Sequence, residues 1–458
     1  MTEVKKGDVV TLRITEINNL GCGVGKLGGM VIFVAGAVSG ELVSTKIIKA
    51  NKSYCVGKLE KVLEVSPYRE DGFCSAPFSC GGCVYRHIRY EHELELKKNY
   101  VKHAFIKAGL ADTDVGEVLC TGRTAGYRNK AQYPLRQGKN GVEAGFYASH
   151  SHKIIASEMC SLQPAVFSEI LNAFCRFASE KKISVYSEEN EHGLLRHLYL
   201  RLAEGTGEIM VCVVINGTSL AHSDELCALL TRSFPQITGI MLNINRKKTN
   251  VVLGDEYRCL FGVPYITDTL CGRRFRISPG SFYQVNHDGA ELLYRTAKEL
   301  AALHGNEALL DLYCGIGTIG LTMSDSVGEL TGIEIVPEAV SCAKENAELN
   351  GIKNAEFLCG DASSTRTLLA RALDGGKIPD AVILDPPRKG STSELISYLA
   401  ELKIPKIVYI SCNPDTLARD CALFRLNGYN IGKVTPVDMF PRTGHVECCL
   451  LLCREDRK

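Results

Sequence analysis

The chain has 458 residues, 45% of them hydrophobic, more than one ordinary core organises, so two or three domains are expected. Its 53 Lys and Arg stand against 52 Asp and Glu, a net charge of +1, so bulk charge does not draw it to nucleic acid and any phosphate contacts must come from local patches. The polar start Met1–Asp8 lacks an apolar signal core, and no run of about eighteen apolar residues occurs, which predicts a cytoplasmic protein without a membrane partner. Twenty Cys in a chain of this length read as reduced thiols, most of them small core residues, rather than as a disulfide scaffold.

In chain order, residues 1–63 read as short strands (Val9–Ile14, Gly21–Gly25, Met30–Val34, Glu41–Ile48) with Gly-rich turns, which predicts a small β-barrel. Pro67–Tyr85 is rich in Cys and Gly and predicts no regular element. Glu91–Ala108 alternates apolar and charged residues at helical spacing. From about 117 to 270, the strand-like runs Leu198–Leu202, Ile209–Ile215 and Gly239–Asn245 and the helical stretch Ala165–Lys182 predict a mixed α/β region. After Arg276, strand candidates Ala308–Tyr313, Glu329–Ile335, Ala355–Cys359, Ala381–Leu384 and Ile407–Ile410 alternate with helices. That alternation predicts an α/β doubly wound, Rossmann-like sheet with ligands at its strands' carboxyl ends. Val434–Val437 and Val446–Cys453 close it as an antiparallel addition.

Asp311-Leu312-Tyr313-Cys314-Gly315-Ile316-Gly317-Thr318-Ile319-Gly320 follows a strand and opens a helix. Gly315, Gly317 and Gly320 also match the dinucleotide fingerprint, so a nicotinamide enzyme enters as a reading. Two features favour S-adenosylmethionine. Asp311 at the strand end suits a cationic ligand and repels phosphates. Glu334, ending the second strand, is placed to accept ribose hydroxyls, and Asp361, after the third, to hold an adenine amine. The bland reading is that each acid caps the helix after it.

Methyl transfer to a poorly nucleophilic ring carbon needs a thiolate to add at the neighbouring carbon and a base to remove the displaced proton afterwards. Ser411-Cys412-Asn413-Pro414 sits between a strand and a helix, where a helix N-terminus is expected to lower the thiol's pKa. Gly444-His445-Val446-Glu447 offers Glu447 as the base. Asp385-Pro386-Pro387-Arg388-Lys389-Gly390 ends the fourth strand, where a stiff turn is expected to hold Asp385 between donor and base. A lone Cys is more often a core residue and a lone Glu more often solvated. An amino-group methyltransferase would want an aromatic residue where Arg388 stands. Cys74, Cys80 and Cys83, spaced C-x5-C-x2-C in a Gly-rich loop, suggest a metal with a fourth ligand elsewhere, zinc or an iron–sulfur cluster.

Together with Ser281-Phe282-Tyr283-Gln284-Val285-Asn286 and Met439-Phe440-Pro441, these runs resemble the RNA uracil-5 methyltransferases, most nearly the 23S ribosomal RNA (uracil-5)-methyltransferase branch with an N-terminal TRAM domain. The resemblance runs nearly end to end. It implies Cys412 as nucleophile and Glu447 as proton-abstracting base, and places Gln284, Tyr313, Thr318, Glu334, Asp361 and Asp385 at cofactor contacts. Tyr313 and Thr318 stand where some relatives carry Phe and Asn, and Asp361 where they carry Asn; these changes keep stacking or hydrogen-bonding capacity. It further implies a [4Fe–4S] cluster on Cys74, Cys80, Cys83 and Cys160, and a TRAM, OB-like RNA-binding barrel at 1–63. A mixed α/β central domain at 64–275 would carry the cluster and RNA contacts, and 276–458 the methyltransferase domain.

The expected partner is RNA, most nearly 23S ribosomal RNA, with no stable protein partner, and the expected product is 5-methyluridine. A flipped target base would meet Cys412, with Phe282 as a stacking residue. Arg123–Lys130, Arg246-Lys247-Lys248 and Arg273-Arg274-Arg276 are candidate phosphate contacts, though such clusters are more often solvated faces. The alternatives are uracil-5 methylation of transfer RNA, which shares the whole chemical constellation, and a non-catalytic iron–sulfur RNA-binding protein, against which intact Cys412 and Glu447 argue. The nicotinamide reading is weakest, because it gives Cys412 no work.

Overall fold

The computed structural model describes residues 4–149, 151–361 and 378–455. β1 (Val9–Ile17), β2 (Cys22–Leu27), β3 (Met30–Ala35), β4 (Leu42–Ala50) and β5 (Tyr54–Glu64) close into a barrel in the order β1-β2-β3-β5-β4. Alternation puts Leu12, Ile14, Ile32, Val34, Val43 and Ile47 inside, and closure leaves no sheet edge to aggregate. The barrel's β1–β2 turn reaches the rest of the chain: Tyr85 donates its hydroxyl to the Asn18 carbonyl at 3.1 Å. At Gly444 a Cβ would run into the Asn19 carbonyl, so only glycine lets the turn and that loop touch.

No helix or strand forms between Glu64 and Tyr90, as composition predicts, and Tyr90–Lys107 is a helix. A seven-stranded sheet follows, ordered β12-β11-β10-β9-β6-β7-β8. Its strands are β6 (Lys130–Gly138), β7 (Gly141–Tyr147), β8 (Ile154–Ala156), β9 (Leu195–Leu202), β10 (Ile209–Ile215), β11 (Ile237–Ile244) and β12 (Glu256–Gly262). Ile209-Met210-Val211-Cys212-Val213-Val214-Ile215 is buried throughout because both faces are covered. Val211, Val213 and Ile215 pack under the helices Ala165–Glu180 and Ser223–Ser233, while Met210 and Cys212 join the core of the C-terminal half.

The hairpin β13 (Ile266–Leu270) and β14 (Arg273–Ile277) leads into an eight-stranded path with the order β17-β16-β15-β18-β19-β22-β20, and β21 pairs β22. Its members are β15 (Ala308–Leu312), β16 (Glu329–Glu334), β17 (Ala355–Cys359), β18 (Ala381–Leu384), β19 (Lys406–Ser411), β20 (Tyr429–Ile431), β21 (Thr435–Val437) and β22 (Glu447–Arg454). The first five are parallel and β22 runs antiparallel to β19, the expected closing addition. Chain order reverses between β15 and β18, which opens a crevice at their carboxyl ends. The two faces carry separate cores, and Val101, Ala104 and Phe105 of helix Tyr90–Lys107 complete one of them with Ile396, Leu417 and Phe424.

Candidate active site

The crevice is built first by the turn after β15. Asp311, fully buried, accepts the Gly320 N–H on Oδ2 at 2.9 Å, so it does cap the helix that follows. Its Oδ1 is buried without a partner among the described residues. Burial, with Asp385 and Glu334 nearby, pushes this carboxyl up to about 7 against the pull of the Gly320 bond. Tyr313, Gly315 and Gly317 all take left-handed backbone, which turns the chain sharply at this point. A Cβ at Gly320 would lie 2.8 Å from Asp311 Oδ2, so glycine is what lets the acid cap the helix. Glu334 accepts the Gly315 and Val336 N–H groups at 3.1 and 2.9 Å. Asp361 follows β17 and acts on Tyr313 electrostatically, and Thr318 bonds Tyr294 at 3.1 Å. An orphaned carboxylate oxygen among mutually repelling acids suits a cationic ligand that also offers hydroxyl donors. S-adenosylmethionine has both features.

The second part lies one strand pair along. Cys412 follows β19, and Asn413 caps the helix Pro414–Leu426 by accepting the Asp415 N–H. The register Ser411↔Cys448 puts Glu447, the first residue of β22, at the same sheet end as Cys412. Asp385 follows β18 there too. Asn413 and Thr416 donate to the Arg388 carbonyl at 3.0 and 3.3 Å, and Asp420 accepts the Ser391 N–H at 2.8 Å, so the Pro386–Gly390 turn is held at its middle and just past its end. Arg388 reaches Cys412 and lies 3.4 Å from His445 Nε2.

The electrostatics reverse one expectation. A helix N-terminus was expected to lower the Cys412 pKa, but burial and then Glu447 push the thiol up to about 11, with Arg388 pulling it down. Burial and Asp385 raise Glu447 to about 8, and burial raises Asp385 to about 7. Three acidic groups, Glu447 buried and Asp385 and Cys412 half-buried, stand with one exposed guanidinium, and each holds its proton more tightly than in water.

The structure therefore brings Asp311, Glu334, Asp385, Cys412 and Glu447 to one sheet edge, with Tyr313, Thr318 and Asp361 around the turn. Gln284 lies on the loop before helix His287–Ala301, its carbonyl bonded by Asn129 at 3.1 Å. Phe282 on that loop is 66% exposed. Cys74, Cys80, Cys83 and Cys160 form a second group lining a cavity of about 490 Å³ that opens onto Arg388 and His445. No three His, Cys, Asp or Glu side chains among the described residues stand as a set for one metal ion. The four thiols nevertheless sense one another: behind burial, Cys160, Cys74 and Cys80 push Cys83 up to about 12.

The basic clusters separate. Arg123 pairs with Glu204 and Asp288, Lys247 with Asp255, Lys248 with Glu191, and Arg276 with Glu345. Arg128 and Lys130 instead line the cavity with Arg86 and Arg388, and among the described residues no carboxylate lines it. Arg388, His445 and Asp420 were missed as site residues from sequence. Only the Asp385–Gly390 run hinted at the first, and its role depends on a residue on the next strand.

The sequence model described as tRNA (Uracil-5-)-methyltransferase matches residues 89–455, and that of the TRAM domain matches 3–59. An uncharacterized RNA methyltransferase of Clostridium acetobutylicum is 40% identical over 457 residues, 99% of both chains. Another, of Bacillus cereus, is 38% identical over 455 residues, 99% of this chain and 98% of the relative. Among solved structures, Pyrococcus abyssi tRNA (uracil-54, C5)-methyltransferase in complex with S-adenosyl-L-homocysteine superposes with a TM-score of 0.79 at 27% identity. That likeness covers 97% of this chain and 100% of the other.

Proposed function

The chain belongs to the uracil-5 methyltransferase family of RNA enzymes, and from that premise we propose that it methylates C5 of a uridine in 23S ribosomal RNA, in the cytoplasm, through Cys412 and Glu447. The observation that carries the chemistry is the convergence of a thiol, a carboxylate with a raised pKa and a guanidinium beside the glycine turn. S-adenosylmethionine supplies an electrophilic methyl group. Asp311, Glu334, Asp361, Gln284, Tyr313 and Thr318 would hold it, with Asp311 Oδ1 gaining the partner it lacks.

Cys412, as thiolate, adds to C6 of the flipped uracil and pushes electrons onto the C4 carbonyl and C5. Arg388 favours that thiolate, and substrate entry must overcome the resistance set by Glu447 and burial. After C5 has accepted the methyl group, Glu447 takes the C5 proton. The freed pair forms the C5–C6 double bond and the C6–S bond breaks. A base whose conjugate acid has a pKa near 8 is matched to that task near neutral pH. Arg128, Lys130 and Arg86 are the phosphate contacts on this reading, in a cavity that no carboxylate among the described residues lines. Cys74, Cys80, Cys83 and Cys160 would hold a [4Fe–4S] cluster that shapes this surface; methyl transfer needs no redox step. We divide the chain as 1–63 barrel, 64–275 central domain and 276–458 methyltransferase domain, with helix Tyr90–Lys107 lent to the last as a strut.

The barrel and the four cysteines support the ribosomal target through the sequence resemblance. The likeness to the archaeal transfer RNA enzyme, which extends over 97% of the chain, favours transfer RNA as the second reading. Anaerobically purified protein incubated separately with unmodified 23S and transfer RNA transcripts decides between them by nucleoside mass spectrometry. 5-Methyluridine in 23S only supports the first, in transfer RNA only the second, and in neither sinks both.

A further inference from the structure

Helix Tyr90–Lys107 carries charge on nearly every turn, yet Glu93 and Lys97 are 0% and 1% exposed. Lys97 Nζ donates to Glu93 Oε1 and Asp438 Oδ1, each at 2.7 Å, and to the Phe440 carbonyl at 3.1 Å. Asp438 Oδ2 accepts the Tyr90 hydroxyl at 2.9 Å. Glu93 Oε1 also accepts the backbone N–H of Arg442 at 2.7 Å. Arg442, itself buried, donates Nη1 to Glu70 at 2.8 Å and to the Ile88 carbonyl at 2.7 Å, and its guanidinium lies 4.6 Å over Phe73, next to Cys74.

Such a lattice does little for stability, because buried ion pairs roughly break even against apolar groups of the same shape. What it supplies is one geometry. The backbone it grips, Asp438 to Thr443, leads directly into Glu447, and Arg442 holds a left-handed backbone (φ 69°) that a non-glycine residue adopts only at a cost. Beyond the lattice, Gly444 presses on the barrel turn and His445 meets Arg388.

We propose that Lys97 and Arg442 are positioning residues that hold the 438–443 segment so that Glu447 stands within reach of the C5 proton. This inference rests on Glu447 being the base. Loosening the lattice leaves Cys412 and the donor site in place, so addition and methyl transfer proceed. The step that fails is elimination, in which the C5–H bond breaks, the proton passes to Glu447, the pair forms the C5–C6 double bond and the C6–S bond opens, its pair returning to Cys412 as thiolate. A misplacement of about 1 Å costs roughly 100-fold.

The experiment follows single turnovers of wild type, Lys97→Met and Arg442→Lys on the transcript that wild type methylates, with Glu447→Gln alongside. It reads methyl incorporation, free product, and the Cys412–RNA adduct by denaturing electrophoresis, against folded fraction by circular dichroism. The combined variant Glu93→Gln, Lys97→Met, Asp438→Asn leaves none of those three charges unpaired and serves if the single ones unfold. The expected result is incorporation within about threefold of wild type, product release slowed roughly 100-fold, and accumulating adduct. Adduct and product falling together with folded fraction, or neither changing, while Glu447→Gln accumulates adduct, overturns the positioning role alone. Absence of adduct in Glu447→Gln overturns the base assignment and this inference with it.

Discussion

Replacing Glu447 by Gln should make the protein more stable while it blocks turnover. The Glu447 carboxyl sits at about 8 against an ordinary 4.5, raised first by burial and then by Asp385. The folded state therefore holds a proton that the unfolded chain releases at lower pH. The sign follows: this stabilisation is fully present below pH 4.5 and is lost as pH rises through 8. At 1.36 kcal/mol per pKa unit, wild type should lose about 4 kcal/mol by pH 8 and less than about 1 kcal/mol by pH 5. Gln, neutral and nearly isosteric, loses neither. Thermal denaturation of both proteins between pH 5 and 8.5 reads the difference. The variant's midpoint should exceed wild type's by several degrees at pH 8, and the gap should close toward pH 5. Parallel curves would show that Glu447 ionises as in water, and the case for it as a tuned base would fall.

Arg388→Ala should move the pH at which Cys412 is alkylated by iodoacetamide upward and cut turnover at least about tenfold, because the group lowering the thiol's pKa is gone; an unchanged profile would dissociate the two residues. Asp311→Asn should weaken S-adenosylmethionine binding by about 10- to 100-fold in calorimetry, since a buried hydrogen bond to a charged group is worth ~1.5–3 kcal/mol. Equal affinity would remove Asp311 from the donor site. Lys130, which burial, Arg201 and Arg128 hold down at about 8, gains a counter-charge when a phosphate arrives. Lys130→Ala should lower RNA affinity and reduce the log–log salt slope by about 1, and an unchanged slope would take it off the phosphate path.

Much of the scaffold was legible because its signals are local. Ile209–Ile215 is an unbroken apolar run and forms β10 between those same limits, and Ala355–Cys359 and Ala381–Leu384 likewise match their strands. β14 was read only as a basic cluster, because Arg273, Arg274 and Arg276 hide the inward Phe275 and Ile277. β12 was missed because no residue of Glu256–Gly262 is buried, so no alternation marks it. The proposed chemical residues stand in short local runs, whereas their electrostatics do not show in the sequence. The Cys412 thiol responds to Glu447, which lies beyond a whole helix and two short strands in sequence and comes near only through the β19–β22 pairing. Lys97 and Asp438 are farther apart still. On the surface of an amphipathic helix a Glu93–Lys97 pair reads as solvated, and only the tertiary contact with Asp438 buries it.

The most direct measurement offers the enzyme and S-adenosylmethionine an RNA in which 5-fluorouridine replaces uridine. Fluorine cannot leave C5 as a proton does, so the adduct is trapped after methyl transfer. Peptide mass spectrometry should find Cys412 bonded to a methylated 5-fluorouridine, in wild type and not in Cys412→Ala. Free methylated RNA without any adduct, or an adduct on another cysteine, would contradict the account.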